Sequence, residues 1–325
     1  MNIIEESPYL NSRLDLFSHK LTQLSNTTQD DYLIVEPYSI GDAVHTLSLL
    51  SAFRNKFVRT SERINFICNK RALPIVKLFR NVDNAIGIDL GPFEFHLEAI
   101  AERYGSLPKG KPIPMAPDMY TKGWLGKLRE KVTPIQAKSL ILELDIDTEP
   151  SIPELDPELL TAMFANFRAA GIERNSVIIF NHANTMREVD SSIFRPLQRK
   201  FPRVYYDSSI SDKGIIPWAR PVKIRLDEIP FLTSYIGTAV IIRSGITDIV
   251  ALSSARVISI YPNSCLVYDW SGKRTQVAKT FRELTLEKLG LAKNVREFPM
   301  FCEEGDSMDD LESKFANILS NIPEI

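Results

Sequence analysis

Short apolar runs and helical periodicities alternate along most of this chain. Tyr32-Leu33-Ile34-Val35-Glu36 is a compact run of the buried-strand type. A turn from Pro37 to Gly41 follows, and then Ala43, Val44, Leu47, Leu50 and Phe53 recur three to four positions apart, which predicts a helix over 42–55. The same grammar gives a strand at 64–68, a helix near 71–79 and a short strand at 85–88, after a leading helix at about 12–25. Strand and helix alternating through short connections imply parallel β-α-β units. The region 91–138 is less regular.

The second half repeats this grammar. Residues 147–157 hold three prolines among several acidic residues and read as an interdomain linker. Asp156-Pro157-Glu158 then starts a helix, with a capping aspartate and proline at the first helical position. Strands are expected at 176–180, 204–206, 222–224, 239–242 and 257–261, with helices near 191–200, 227–235 and 247–254. The fold class expected is α/β: two Rossmann-like, doubly wound domains in tandem, 1–150 and 151–325. The last helix, 308–321, is placed to pack back across the first domain.

Composition narrows the function classes. The 325 residues are 44% hydrophobic and 25% charged, an ordinary globular balance with room for two cores. A formal net charge of −2 gives no global field to draw the protein to nucleic acid, so no nucleic-acid partner is expected. Cys68, Cys265 and Cys302 are far apart and form no metal spacing, which fits reduced thiols in a cytoplasmic protein. The first residues are acidic where a signal peptide is basic, and no stretch reaches the roughly eighteen apolar residues of a membrane span.

Candidate chemistry lies where open α/β sheets bind ligands, beyond the carboxyl ends of the strands. The first loop contains Ser39, Gly41 and Asp42, with His45 three residues on. Gly41 permits a tight turn or a close approach of ligand to backbone. Asp42 reads either as a general base on a cleft rim or as a helix cap, and the loop alone leaves both open. His45 reads as a second catalytic group or as a packing residue. The second loop, Asn181 to Arg187, reads either as a polar surface loop or as a diphosphate site offering Asn184, Thr185 and Arg187. The third, Arg243-Ser244-Gly245-Ile246-Thr247-Asp248, combines a helix N-terminus with an arginine and suits phosphate. Its structural alternative is an Arg243–Asp248 pair that only fixes the loop. No G-x-G-x-x-G and no complete P-loop is present, which sets aside dehydrogenases and P-loop NTPases.

These motifs resemble the bacterial heptosyltransferase family and its relatives, inverting family-9-like GT-B transferases that build cell-surface polysaccharide such as lipopolysaccharide or capsule. Ser39-Ile40-Gly41-Asp42-Ala43-Val44-His45-Thr46-Leu47, after the strand at 32–35, is similar to the family's S-x-G-D-x-x-H-T-L signature. Residues 243–248, followed by a helix and Val257-Ile258-Ser259-Ile260-Tyr261-Pro262, are similar to its donor loop. Arg243 stands in place of the family's usual aspartate and Asp248 in place of its histidine, so an ADP-heptose donor is not implied.

The resemblance implies two domains facing across a cleft, a nucleotide-sugar donor, and a glycan or lipid-linked glycan acceptor served by the first domain. It makes Asp42 the base and implies no cofactor. No metal is expected, because Arg243, Arg187 and a helix N-terminus supply positive charge. A nucleotide-sugar epimerase on the same fold and a non-catalytic binding protein remain alternatives. A basic segment at 122–132 containing Trp124 reads either as a core helix or as a peripheral contact with the inner membrane.

Overall fold

The computed structural model describes residues 27–36, 39–88, 110–115, 132–183, 186, 189–209, 214–268, 274–278 and 280–323. The chain divides into two compact units, Met1–Ser151 and Ile152–Ile325. The predicted helix at 12–25 lies outside the described residues.

In the first unit the order is β1 (Tyr32–Glu36), α1 (Ile40–Phe57), β2 (Ile64–Asn69), α2 (Leu73–Val76), β3 (Asn84–Ile88), β4 (Lys111–Pro114) and α3 (Pro134–Ile141). All four strands are parallel, in the spatial order β3-β2-β1-β4. β1 is central, and Leu33, Ile34 and Val35 are all buried, which is why its sequence is apolar without alternation. α1 is buried from Ala43 to Leu50 on most of its circumference, and Phe53 stacks edge-on against Tyr32 at 5.1 Å.

The second unit runs α4 (Pro157–Ala169), β5 (Val177–Phe180), α5 (Leu197–Lys200), β6 (Val204–Asp207), β7 (Arg220–Val222), α6 (Ile229–Ile236) and β8 (Thr238–Ile242). It continues with α7 (Gly245–Val250), β9 (Arg256–Tyr261), a hairpin of β10 (Ser264–Tyr268) and β11 (Arg274–Ala278), β12 (Arg296–Phe301) and α8 (Met308–Ser320). Its main sheet has six parallel strands in the order β12-β9-β8-β5-β6-β7. The Asp156 side chain accepts hydrogen bonds from the Glu158 and Leu159 amides, so α4 begins as its sequence predicts.

Five strands differ from expectation: the unpredicted hairpin of β10 and β11, and three strands at the edges of the parallel sheets. β4 and β12 fall in stretches with no predicted strand, and β7 sits at Arg220–Val222 instead of 222–224. Each of these three contains proline: Pro112 and Pro114, Pro299, and Pro221. Proline has no N–H to donate to a ladder, so it breaks the strand signal yet is tolerated where one side of the strand is unpaired.

The last helix packs its buried face into the core of the second unit. Phe315 is fully buried and meets Phe194 edge-on at 5.7 Å, within a core that includes Leu197, Ile258 and Met300. Ser307 and Asp310 cap its start, and Lys200 Nζ donates to the Leu319 and Ile322 carbonyls at its end. Phe315→Ala is therefore expected to cost about 3–5 kcal/mol of stability, the range for deleting a buried aromatic. Urea unfolding checks this, and a loss below about 1 kcal/mol, the scale of an exposed substitution, would contradict it.

Candidate functional site

Topology selects one crevice in each unit. In the first sheet the chain steps from β1 outward to β2 and β3, then returns to place β4 on the other side of β1. In the second it steps from β5 to β6 and β7, then returns to lay β8 and β9 on the other side of β5. The points where strand order reverses, between β1 and β4 and between β5 and β8, are where connecting helices leave to opposite faces and open a crevice. The loops after β1, β5 and β8 are the three loops with unusual polar composition.

At the first switch point Asp42 is the third residue of α1. The Ser39 hydroxyl and amide both donate to Asp42 Oδ2, at 2.7 and 3.2 Å. The carboxylate thus does cap the helix start, but through one oxygen only, and its side chain stays 33% exposed. Gly41 is buried inside the first helical turn, with no left-handed φ. His45 is 4% exposed, on the buried stretch of α1. A group exchanging protons with a substrate needs access, so the structure supports its packing reading over a catalytic one.

The sequence pattern does not single out two residues that stand beside Asp42. Glu36, the last residue of β1, is fully buried and accepts from Thr46 Oγ1 at 2.5 Å. Lys138, on α3, is also buried, and its ammonium is in hydrogen-bonded contact with Glu36 Oε2. The same ammonium lies 3.9 Å from Asp42 Oδ1. Burial pushes the Glu36 carboxyl up from the usual range; Lys138 pulls it back in part, and Asp42 adds to the rise. Removing one partner of such a buried pair typically costs about 3–5 kcal/mol. Cys68, beside Glu36 across the β1–β2 ladder, has its thiol pushed up to about 12, mainly by burial, so it is no nucleophile near neutral pH.

At the second switch point the loop after β8 is held from within. Arg243 is buried and binds Asp248 with both terminal nitrogens, at 3.0 and 2.8 Å. Its Nε donates to the Leu284 carbonyl at 3.0 Å and its Nη1 also to the Ser244 carbonyl at 2.5 Å. Burial works against the guanidinium's charge, and Asp248 with Tyr261 and Glu297 outweighs that and pushes its pKa up. The Tyr261 hydroxyl extends the network to the Leu284 carbonyl and to Glu297, which in turn accepts from the Leu286 amide. Arg243 and Asp248 thus form the pair that fixes the loop, the arrangement the sequence offered as the structural alternative. Ser244 and Thr247 cap one another across the start of α7, with Thr247 buried and Ser244, Gly245 and Ile246 at the half-buried rim.

The loop after β5 opens with Asn181, whose Oδ1 is buried without a hydrogen-bond partner among the described residues. Gly214, with φ +70°, lies so close that a Cβ there would stand 2.7 Å from the Asn181 carbonyl oxygen. Met186 bridges to Cys265 at the start of the hairpin. Asn184, Thr185 and Arg187 lie outside the described residues, as do residues 116–131 with Trp124. Among the described residues no helix is long and apolar enough to cross a membrane.

Two sequence near-matches are resolved by position. Asp145-Ile146-Asp147 has the Asp-x-Asp spacing of metal-dependent transferases, but it lies beside the far end of α1, where Lys56 donates to the Glu143 carbonyl. Fourteen residues of helix, about 21 Å, separate that end from Asp42. Gly105 to Lys111 approaches a P-loop, but Pro112 stands in place of the hydroxyl residue, and Lys111 opens strand β4 and pairs with Glu62 at 3.0 Å.

No protein-family model matches the chain, and none of the curated proteins matches it. Solved structures do. The glycosyltransferase family 9 protein from Veillonella parvula aligns over 92% of both chains with a TM-score of 0.53 at 12% identity. The ADP-heptose lipopolysaccharide heptosyltransferase II of E. coli aligns over 89% of this chain and 98% of its own, with a TM-score of 0.57 at 13% identity. The iron-containing dodecameric glycosyltransferase of enterotoxigenic E. coli H10407 aligns over 90% and 79%, with a TM-score of 0.52 at 14% identity. The fold is therefore heptosyltransferase-like, of the two-domain GT-B kind.

If Arg243 fixes the loop, Arg243→Met strands a buried carboxylate and should lower stability by about 3–5 kcal/mol. Adding Asp248→Leu removes that carboxylate and should recover a large part of the loss. A double variant as unstable as the sum of the singles, by urea unfolding, would show that the pair does not act as a unit.

Proposed function

We propose that this chain is a glycosyltransferase that moves a sugar from a nucleotide-sugar to a hydroxyl of a glycan or lipid-linked glycan, with inversion and without a metal. The observation that carries the reading is the Asp42 carboxylate. It sits at the switch point of the first sheet of a heptosyltransferase-like fold, fixed through Oδ2 by Ser39 and partly exposed.

In the reaction the acceptor hydroxyl gives its proton to Asp42 while its oxygen bonds to the anomeric carbon. The bond from that carbon to the diphosphate oxygen breaks, and the electron pair leaves with the nucleoside diphosphate. The second unit is the donor side. Its support is the second switch point: Asn181 Oδ1, without a partner among the described residues, the rim of Ser244, Gly245 and Ile246, and the polar Asn184, Thr185 and Arg187 that follow Asn181 in sequence. A well-placed donor to the departing diphosphate contributes about 3–4 kcal/mol to such a reaction. Arg243 acts here only by holding the loop, which leaves Arg187 as the arginine for the phosphates. A cytoplasmic protein that visits the inner membrane fits a lipid-linked acceptor.

Asp42→Asn keeps an acceptor for Ser39 and cannot take a proton. It is expected to lower acceptor-dependent transfer by about 10²–10⁴-fold, the usual worth of a general base. The thermal shift induced by the matching nucleotide, found by screening UDP, GDP, ADP and dTDP, should stay at the wild-type value. Wild-type turnover should be the same in EDTA. Retained transfer in Asp42→Asn would make the residue a cap alone, and abolition by EDTA would refute the metal-free route.

A further inference from the structure

We propose that Lys138 is a positioning residue for Asp42, holding the carboxylate in place and setting the field it feels, with Glu36 moderating its effect. This rests on the reading of Asp42 as the base.

Lysine is among the residues least often buried, and a buried ion pair is on balance no more stabilising than apolar side chains of similar volume. Packing alone therefore does not account for an ammonium at this place. The geometry gives it a direction. Asp42 has two unlike oxygens: Oδ2 is held by Ser39, and Oδ1 faces Lys138 Nζ at 3.9 Å. The ammonium is anchored on its other side by Glu36, which is itself fixed by Thr46. Thr46 lies four residues after Asp42 on α1, hence on the same helical face. Three elements, β1, α1 and α3, so converge on one charge cluster at the switch point.

The cluster is a balance. An ammonium alone near a carboxylate favours the ionised form strongly and makes a poor base. Glu36 offsets much of that charge, so the field at Asp42 is the difference between two opposed neighbours. Among the described residues, the other titratable groups nearby are Cys68 on β2, beside Glu36, and His45 on the buried stretch of α1.

The two flanking residues then have opposite effects, which a purely structural role does not produce. Lys138→Met removes the cation, and the acidic limb of the pH profile for transfer should move to higher pH. Glu36→Gln keeps an oxygen for Lys138 but removes the offsetting charge, and the limb should move to lower pH. Each shift is expected to be about 1 pH unit or more, and Lys138→Arg should restore the wild-type limb in large part.

The profile is read as nucleoside-diphosphate release from a panel of UDP-, GDP-, dTDP- and ADP-sugars. Beside it, the ¹³C carboxyl resonance of Asp42, assigned by its loss in Asp42→Asn, is titrated in each variant without substrate. Opposite displacements in both measurements support the proposal. Unmoved midpoints, displacements of the same sign, or a rate limb that ignores the resonance would overturn it. Should Lys138→Met not fold, Glu36→Gln decides alone: a downward displacement supports the proposal, and none refutes it. Active Asp42→Asn protein would instead defeat the base reading, a result distinct from any of these.

Discussion

In a parallel sheet covered on both faces, the strands are closed to solvent along their length and the chemistry is left to their ends. β1, β5, β8 and β9 are buried almost throughout, so polar groups that meet a substrate must come from the residues just past their last hydrogen bonds. The reversal of strand order then decides which ends matter, because only there do the following helices part to leave a crevice. The placement of each candidate site residue follows from that constraint. Asp42 enters α1 directly after β1, and the donor-side loops follow β5 and β8.

The same place in each unit carries a buried charge, resolved in two different ways. β1 ends in Glu36, paired with Lys138, and β8 is followed by Arg243, paired with Asp248. Around Arg243 the donors are taken up by Asp248 and by the Ser244 and Leu284 carbonyls, which ties the α7 entry to the 282–286 turn. Around Lys138 the pairing is asymmetric, and the ammonium also faces a partly exposed carboxylate. One charge cluster closes on itself and stiffens a loop. The other stays open toward a residue that contacts substrate in the proposed reaction.

What was legible in the sequence was local. The apolar run at 32–36 and the helical spacing from Ala43 to Phe53 mark β1 and α1, and Asp156-Pro157 marks the start of α4, because each signal lies within one element. Of the edge strands, β4, β7 and β12 were hidden by the prolines that edges tolerate. Gly41 was open to a tight turn or a close approach of ligand, and only the structure shows it buried within the first turn of α1. Arg243–Asp248 was one of two readings, and burial selected it, a quantity that no five-residue spacing contains. Lys138 was out of reach altogether. It approaches Asp42 only because α3 folds back beside β1, from 96 residues further along the chain.

The central claim is that this fold transfers a sugar to a hydroxyl, and acceptor dependence tests it most directly. Wild-type protein is incubated with each nucleotide-sugar of a panel, with and without glycan acceptors, while nucleoside-diphosphate release and the anomeric configuration of the product are followed by NMR. The account predicts release from a selected donor only when acceptor is present, with the anomeric configuration inverted. Conversion of one nucleotide-sugar into another without nucleotide release, or saturable binding with no turnover, would contradict it.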